Sequence, residues 1–348
     1  MSGIGFAANR RMIVALQPDL TWTPLAMSSR PLRLGIDLGG TKIEAAVLDR
    51  SHTVVTSRRM PSPQGDYRAT IEALANLVTG LERDLGTPLP TGIGMPGSLS
   101  PRTGLVQNAN STWLNGQPLK RDLDARLGRP LRFANDANCF ALSESIDGAG
   151  AVGEAVAART AVGEAVAEKS AGKRTVFGVI LGTGCGGGLV IDGKLVDGPR
   201  GIGGEWGHTP LPWPTTTELD HPPCWCGRSG CLETWVSGPA LAADHLRVTG
   251  LRTTAEAIAA NAATGDAPSQ FTFARHANRL ARGLAMITNI LDPDVIILGG
   301  GLSLLPHLYT DLPPLMAPYI FSAHPNPVIL PPRWGDSSGV RGAAWLWE

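Results

Sequence analysis

The sequence predicts an α/β fold of two related lobes, and three observations predict it. Strand-like and helix-like segments alternate along the chain, the pattern of helices packed on sheets. LGIDLGGTKIEAAVLD (34–49) aligns without a gap to FGVILGTGCGGGLVID (177–192), with identities at Gly35/Gly178, Leu38/Leu181, Gly39/Gly182, Val47/Val190 and Asp49/Asp192. Each copy reads strand, glycine turn, strand, so two lobes that each open with a hairpin explain the match. Chance similarity between two glycine-rich hairpins is the alternative. The third observation is bulk: 348 residues, 43% of them hydrophobic, suffice for two buried cores and are too apolar for a disordered chain.

The elements follow in order. Residues 1–30 show no clear period and read as a disordered N-terminal extension. Met27, just before the first strand, is an expected start of translation. Strands are expected at Leu32–Leu38, Thr91–Met95, Leu131–Phe133 and Val295–Leu298. Helical periodicity marks Tyr67–Leu85, Leu119–Leu127 and Phe271–Leu291, with Asp292-Pro293 ending the last. AVGEAVA occurs at 151–157 and again at 161–167, a duplicated linker of Ala, Gly and Glu. The expected lobes are 31–147 and 148–330, with 151–170 the linker. Residues 331–348, helical over Gly339–Trp347, are expected to pack back on the first lobe.

The charge is balanced, with 30 basic and 30 acidic side chains. No basic excess or Lys/Arg run marks a nucleic-acid surface. The glycine-rich stretch Val176–Ile191 is too short for the about 20 apolar residues of a membrane span. The apolar run MIVAL near the N-terminus is too short for a signal-peptide core. Five unevenly spread cysteines without an export signal suit a reducing cytoplasm.

GTGCGG at 182–187 formally matches a dinucleotide fingerprint, but that fingerprint needs a helix straight after the glycines. Here the glycines Gly182, Gly184 and Gly186, with Thr183 among them, run into Leu189-Val190-Ile191 and a hairpin turn at Asp192-Gly193. A Rossmann site is therefore disfavoured, and no Walker-type loop occurs. A glycine hairpin still binds phosphate, because bare N–H groups approach oxygens with no Cβ in the way. In the first hairpin Gly39, Gly40, Thr41 and Lys42 add a hydroxyl and a cation, and Asp37 is placed to hold Mg²⁺ through water. Gly299-Gly300-Gly301 follows a strand and suits a nucleobase lying against backbone. Plain tight turns are the alternative at each cluster.

Cys224, Cys226 and Cys231 lie within eight residues. Disulfides among them are sterically awkward, and redox pairs read C-x-x-C rather than C-x-C. Thiolate ligation of zinc suits the spacing, with Gly227 and Gly230 letting the loop fold round a tetrahedral ion. His208 and His221 are both candidates for a fourth ligand, and spacing does not choose between them. A zinc with four protein ligands would organise structure and leave no site for catalytic water. Free structural thiols are the alternative. Asn135-Asp136-Ala137-Asn138 follows a strand and opens a helix. Asp136 is either a helix N-cap or the base that phosphoryl transfer requires.

The motifs GIDLGGTK, GIGMPGS, NDANCFALSE, LGTGCGGG, GEWGH, CWCGRSGCLE and ILGGG together resemble the ROK family of bacterial sugar kinases and repressors, over about residues 32–348. The resemblance implies the actin-like ATPase (ribonuclease H-like) fold, with ATP held by both hairpins. It implies that Asp136 takes the proton from the sugar hydroxyl. Gly97, Asn135, Asp136, Glu205, His208 and Glu233 would contact the hexose. His208, rather than His221, matches the fourth ligand of a structural Zn²⁺, joining Cys224, Cys226 and Cys231. Dimers are usual in the family. NANSTWLNGQP (108–118) and GEWGHTPLPW (205–213) look like the fructokinase/mannokinase branch, which points to the 6-hydroxyl of D-fructose; glucose and N-acetylglucosamine are the alternatives. ROK repressors carry a helix-turn-helix domain ahead of the first hairpin, and residues 1–30 contain no basic helix pair.

Overall fold

Residues 32–151 and 174–347 are described by a computed structural model. The expected start at Met27 and, apart from Ala151, the AVGEAVA repeat lie outside the described residues. Residues 32–348 group as one compact unit.

Strand β1 (Arg33–Leu38) turns into β2 (Lys42–Leu48), and β2 pairs antiparallel with β3 (Val54–Pro61). Helix α1 (Tyr67–Leu85) returns the chain to β4 (Thr91–Met95), parallel to β1. A short ribbon, β5 (Ser98–Leu99) with β6 (Val106–Gln107), and helix α2 (Leu119–Leu127) lead to β7 (Arg132–Asn135), parallel to β4. The sheet order is β3-β2-β1-β4-β7. After α3 (Asp136–Ile146) the same pattern recurs in β8 (Thr175–Leu181), β9 (Cys185–Ile191) and β10 (Lys194–Leu195). It is completed by β11 (Val295–Gly299) and β12 (Ile329–Leu330), in the order β10-β9-β8-β11-β12. The β8–β9 and β9–β10 pairs are antiparallel and the β8–β11 and β11–β12 pairs parallel. The duplicated hairpin thus opens two sheets of identical topology.

The helices form where caps and periodicity agree. In α1, Ile71, Leu74, Ala75, Val78 and Leu81 recur at three- and four-residue spacing and are buried against the first sheet. Asp66 Oδ1 accepts the Ala69 N–H at 2.9 Å, and Gly86 ends the helix at φ 64°. Between β10 and β12 in chain order the second half carries α4 (Glu233–Val236), α5 (Gly238–Thr249), α6 (Ala255–Ala263), α7 (Ala267–Leu291) and α8 (His307–Met316). Helix α7 starts at Ala267, four residues before the expected Phe271. Asp266 caps it through the Ser269 N–H, Pro268 occupies the first turn, and Phe271 itself is exposed. Asp292 closes it at φ 43°. The strand expected at Leu131–Phe133 runs over Arg132–Asn135, and the C-terminal helix, α9, covers Ser338–Trp345.

Each half lends a helix to the other. Helix α3 packs on β8 and β9 of the second sheet, while α9 packs on β1, β4 and α3. The approach is backbone to backbone. A Cβ on Gly92 would lie 1.8 Å from the Ala343 carbonyl oxygen, and one on Gly342 1.7 Å from that of Cys139. Buried Glu144 ties the two helices together. Its Oε2 accepts the N–H groups of Ala149 (2.8 Å) and Arg333 (3.0 Å). Its Oε1 accepts the Trp334 N–H (3.2 Å) and the Ser338 hydroxyl (2.7 Å). The loop preceding the cysteines is pinned to α7 by another buried acid, Glu218, which accepts from Arg279 Nε (2.7 Å) and Arg282 Nη2 (2.8 Å). Burial alone would push Glu218 up; the Thr215 N–H and the two guanidiniums outweigh it and hold the carboxyl below its ordinary range. No helix among the described residues is long and apolar enough to cross a membrane.

Candidate active site

The end of β1 and the start of α3 bring two acids together. Asp37 is half-buried, and Gly339 of α9 comes so close that a Cβ there would lie 3.1 Å from Asp37 Oδ2. Burial, then the charges of Asp136 and Glu44, push Asp37 up to about 7, against the pull of Lys42. Lys42 itself pairs with Glu44 at 3.6 Å. Thr41 is exposed at the turn.

Asp136 is not the cap of its helix. Asn135 is: its Oδ1 accepts the N–H groups of Ala137 (2.9 Å) and Asn138 (3.3 Å), and its Nδ2 donates to the Gly97 carbonyl at 3.1 Å. Gly97 must be glycine, at φ 69° with a Cβ position only 2.3 Å from the Gln107 oxygen. Asn135 thus takes the capping role that position alone would suggest for Asp136, whose Oδ1 still accepts the Ala137 N–H at 2.8 Å. Asp136 keeps part of its surface open while burial pushes its carboxyl up, a state suited to taking a proton. Asn138, two residues on, has a buried Oδ1 with no hydrogen-bond partner among the described residues.

From the second half, Glu205 and His208 flank the short turn Trp206–His208, whose indole donates to the Gly186 carbonyl at 2.9 Å. Burial pushes Glu205 up, His208 opposes this, and the charges of Asp136 and Glu233 add to it, so these four groups share one neighbourhood. Glu233 opens α4. Its Oε2 accepts the Cys185 N–H at 2.9 Å and its Oε1 accepts the Trp225 indole N–H at 2.7 Å. A Cβ on Gly184 would sit 2.7 Å from Glu233 Oε2, and one on Gly186 3.1 Å from the Ala137 Cβ. The second hairpin therefore lies between Glu233 and the start of α3. Gly182 faces open space and Thr183 is exposed. Gly299 packs on Phe140 of α3. Gly300, at φ 79°, packs against the Leu181 carbonyl, and Gly301 is open. No contact among the described residues ties the Gly299–Gly301 turn directly to Asp136.

His208, Cys224, Cys226 and Cys231 offer four donor atoms within 4.8 Å of one another. Cys224 Sγ lies 3.6 Å from His208 Nδ1, and Cys226 Sγ 3.6 Å from Cys231 Sγ. Tetrahedral zinc with Zn–S of about 2.3 Å needs sulfurs about 3.8 Å apart, so the set fits. His221 stays outside it, packed on Gly230 with its Nδ1 2.7 Å from the Cβ position there. Trp225, between two of the cysteines, stands edge-on to the His208 ring at 5.0 Å and remains 59% exposed. Sequence reasoning passed over Trp225 and Asn138. A tryptophan in a polar loop, with an N–H to satisfy, was the available signal for the first.

A profile of the ROK family matches residues 33–158 and 153–348. An N-acetyl-D-glucosamine kinase of Photobacterium profundum is 36% identical over 316 residues, covering 90% of this chain and 98% of its own. A ROK hexokinase from Thermus thermophilus shares the fold with a TM-score of 0.75 and 30% identity, over 90% of this chain and 97% of that one. A ROK family glucokinase from Streptomyces griseus, solved with glucose and AMPPNP, gives 0.67 and 27%, over 90% and 98%.

Proposed function

The chain belongs to the ROK family and is an ATP-dependent sugar kinase, and from that premise we propose that it phosphorylates the 6-hydroxyl of N-acetyl-D-glucosamine. The observation that carries this choice of sugar is the 36% identity to an N-acetyl-D-glucosamine kinase over 90% of the chain. D-fructose becomes the second reading. It rests on the 108–118 and 205–213 segments, which look like the fructokinase/mannokinase branch.

Asp136 accepts the proton as the sugar hydroxyl attacks, and its raised affinity for a proton supports that role. Asn135, the Gly97 backbone, Glu205, His208 and Glu233 bind and orient the hexose. A carboxylate with two oxygens can accept from two hydroxyls at once. Gly39, Gly40, Thr41 and Lys42 of the first hairpin and Gly182, Thr183, Gly184 and Gly186 of the second cradle the phosphates of ATP, and Gly299–Gly301 faces its adenosine. Asp37 would hold Mg²⁺, which when bound neutralises charge on the transferring phosphoryl group. His208, Cys224, Cys226 and Cys231 would hold a structural Zn²⁺ that fixes the loop leading to Glu233. The family resemblance supports a cytoplasmic homodimer.

The test is kcat/KM with MgATP for N-acetylglucosamine, glucose, mannose and fructose, side by side. N-acetylglucosamine is expected to lead by tenfold, about 1.4 kcal/mol of transition-state preference. A lead for fructose transfers the assignment to the second reading, and no turnover with any hexose overturns both.

A further inference from the structure

Away from the candidate active site, a groove of about 720 Å³ opens beside the far end of α3, within the size range of small-molecule sites. The β2–β3 turn, the residues after α3, the segment after β12, and α9 all line it. Arg341 is 3% exposed and pairs with the one carboxylate in the lining, Asp147. That carboxylate also accepts the Trp334 indole N–H at 3.1 Å, so it is fully engaged. Arg333 has no carboxylate partner among the described residues. Its guanidinium only donates to the Asp147 carbonyl (3.1 Å) and lies over Trp334 (4.7 Å). Among the lining side chains two guanidiniums face one carboxylate, while Asp49, behind Ser51 and Thr53, and Glu144, beneath the Arg333 and Trp334 backbone, stand just outside the lining. Arg341 Nε is buried with no hydrogen-bond partner among the described residues. The His52 ring and the Thr53 hydroxyl add to the polar wall, the Ser51 hydroxyl being held by the Asp49 carboxylate at 2.7 Å, and Trp334, with the Arg341 guanidinium 3.8 Å over its ring, supplies an aromatic one.

We propose that this groove is an effector site for a phosphate-bearing small molecule, separate from the active site. Forked guanidinium donors and a hydroxyl match a phosphate dianion, and guanidinium groups bind phosphate in two-pronged fashion. The aromatic wall accepts the organic part of such a ligand. Three continuous elements join groove and site: β2 begins at Lys42, α3 begins at Asp136, and α9 carries both Arg341 and the Gly339 contact to Asp37. These elements are the route by which the proposed effector would change the active site, and any such coupling must be reciprocal.

The experiment uses the full chain with its active site filled by Mg²⁺, hexose and a non-hydrolysable ATP analogue, so that the phosphate cradle is closed. Inorganic phosphate is titrated by calorimetry at constant ionic strength, with sulfate as the control anion. One saturable phosphate site is expected, weakened at least tenfold by Arg333→Ala and only partly restored by Arg333→Lys, whose ammonium keeps the charge but not the two-pronged donors. Arg333 is exposed, so both variants are expected to fold, and their basal turnover to match the wild type. Phosphate is also expected to change wild-type kcat at least twofold and to leave Arg333→Ala unmoved. Loss of all phosphate binding once the active site is filled, equal binding by Arg333→Ala, or the same response to sulfate (an adventitious ion only) would each overturn the site. Binding without any effect on kcat would remove the effector role.

Discussion

The two glycine hairpins share a topology and differ in almost everything chemical. In the first, Leu38 pairs with Ile43 across a four-residue connection; in the second, Leu181 pairs with Cys185 across three. The ungapped sequence match therefore conceals a shift of one residue in strand pairing. Asp37 corresponds to Ile180, Lys42 to Cys185 and Glu44 to Gly187, so the first turn is charged and the second bare. The bare turn takes its acid from outside, as Glu233 reaches over from the cysteine loop to accept the Cys185 N–H. Duplication supplied the frame, and each hairpin's chemistry was then set by what packs against it. In the proposed reading a cation would sit at the first turn, and backbone N–H groups would meet the phosphates at the second.

The most severe way to break the site is Asp136→Asn. It is expected to lower kcat by about 10³, within the range of general-base contributions, while sugar affinity persists; single-turnover kinetics with equilibrium binding would check it. Cys226→Ser tests whether the second hairpin depends on the metal loop. Elemental analysis should show zinc lost, melting temperature should fall, and kcat/KM for the sugar should drop roughly tenfold, as when the support of a ligand is removed. Full zinc content in that variant would contradict the ligand set.

A smaller effect sharpens the contrast between the hairpins. The folded state holds the Asp37 proton up to about 7, above the ordinary carboxyl value, so ionising it costs stability. That cost is absent at pH 4, grows as pH rises to about 7, and is complete above it. Asp37→Asn should therefore be more stable than the wild type at pH 8, with the advantage vanishing near pH 4, although its demand for Mg²⁺ rises. Denaturant titrations across that range would measure it. At the matching position, Ile180→Val should cost only about 1 kcal/mol, at any pH.

Much of this was legible in the chain. Helix α1 reads correctly because Asp66 and Gly86 punctuate it and its apolar stripe is unbroken. The start of α7 was missed because its first turn buries only Ser269 and so shows no apolar stripe, although Asp266 and Pro268 were available as start signals. Position alone allowed Asp136 to be the helix N-cap, and the structure gives that place to Asn135. The choice of His208 over His221 needed distances, since both lie near the cysteines in sequence. The 108–118 and 205–213 segments suggested fructose, whereas similarity over the whole chain favours N-acetylglucosamine.

The sequence by itself determined the duplicated hairpins, the cysteine spacing and the acid after β7, because hydrogen-bonded strands, turns and ligand loops are specified by residues close together along the chain. Only the tertiary structure decided that Asp37 meets Asp136, that Trp225 holds Glu233, and that Arg333 and Arg341 share a groove. Asp37 and Asp136 lie about a hundred residues apart in the chain, and the other two pairs, though eight residues apart, depend on how a loop and a helix end fold back; the burial and charge that set all three are recorded by no local pattern.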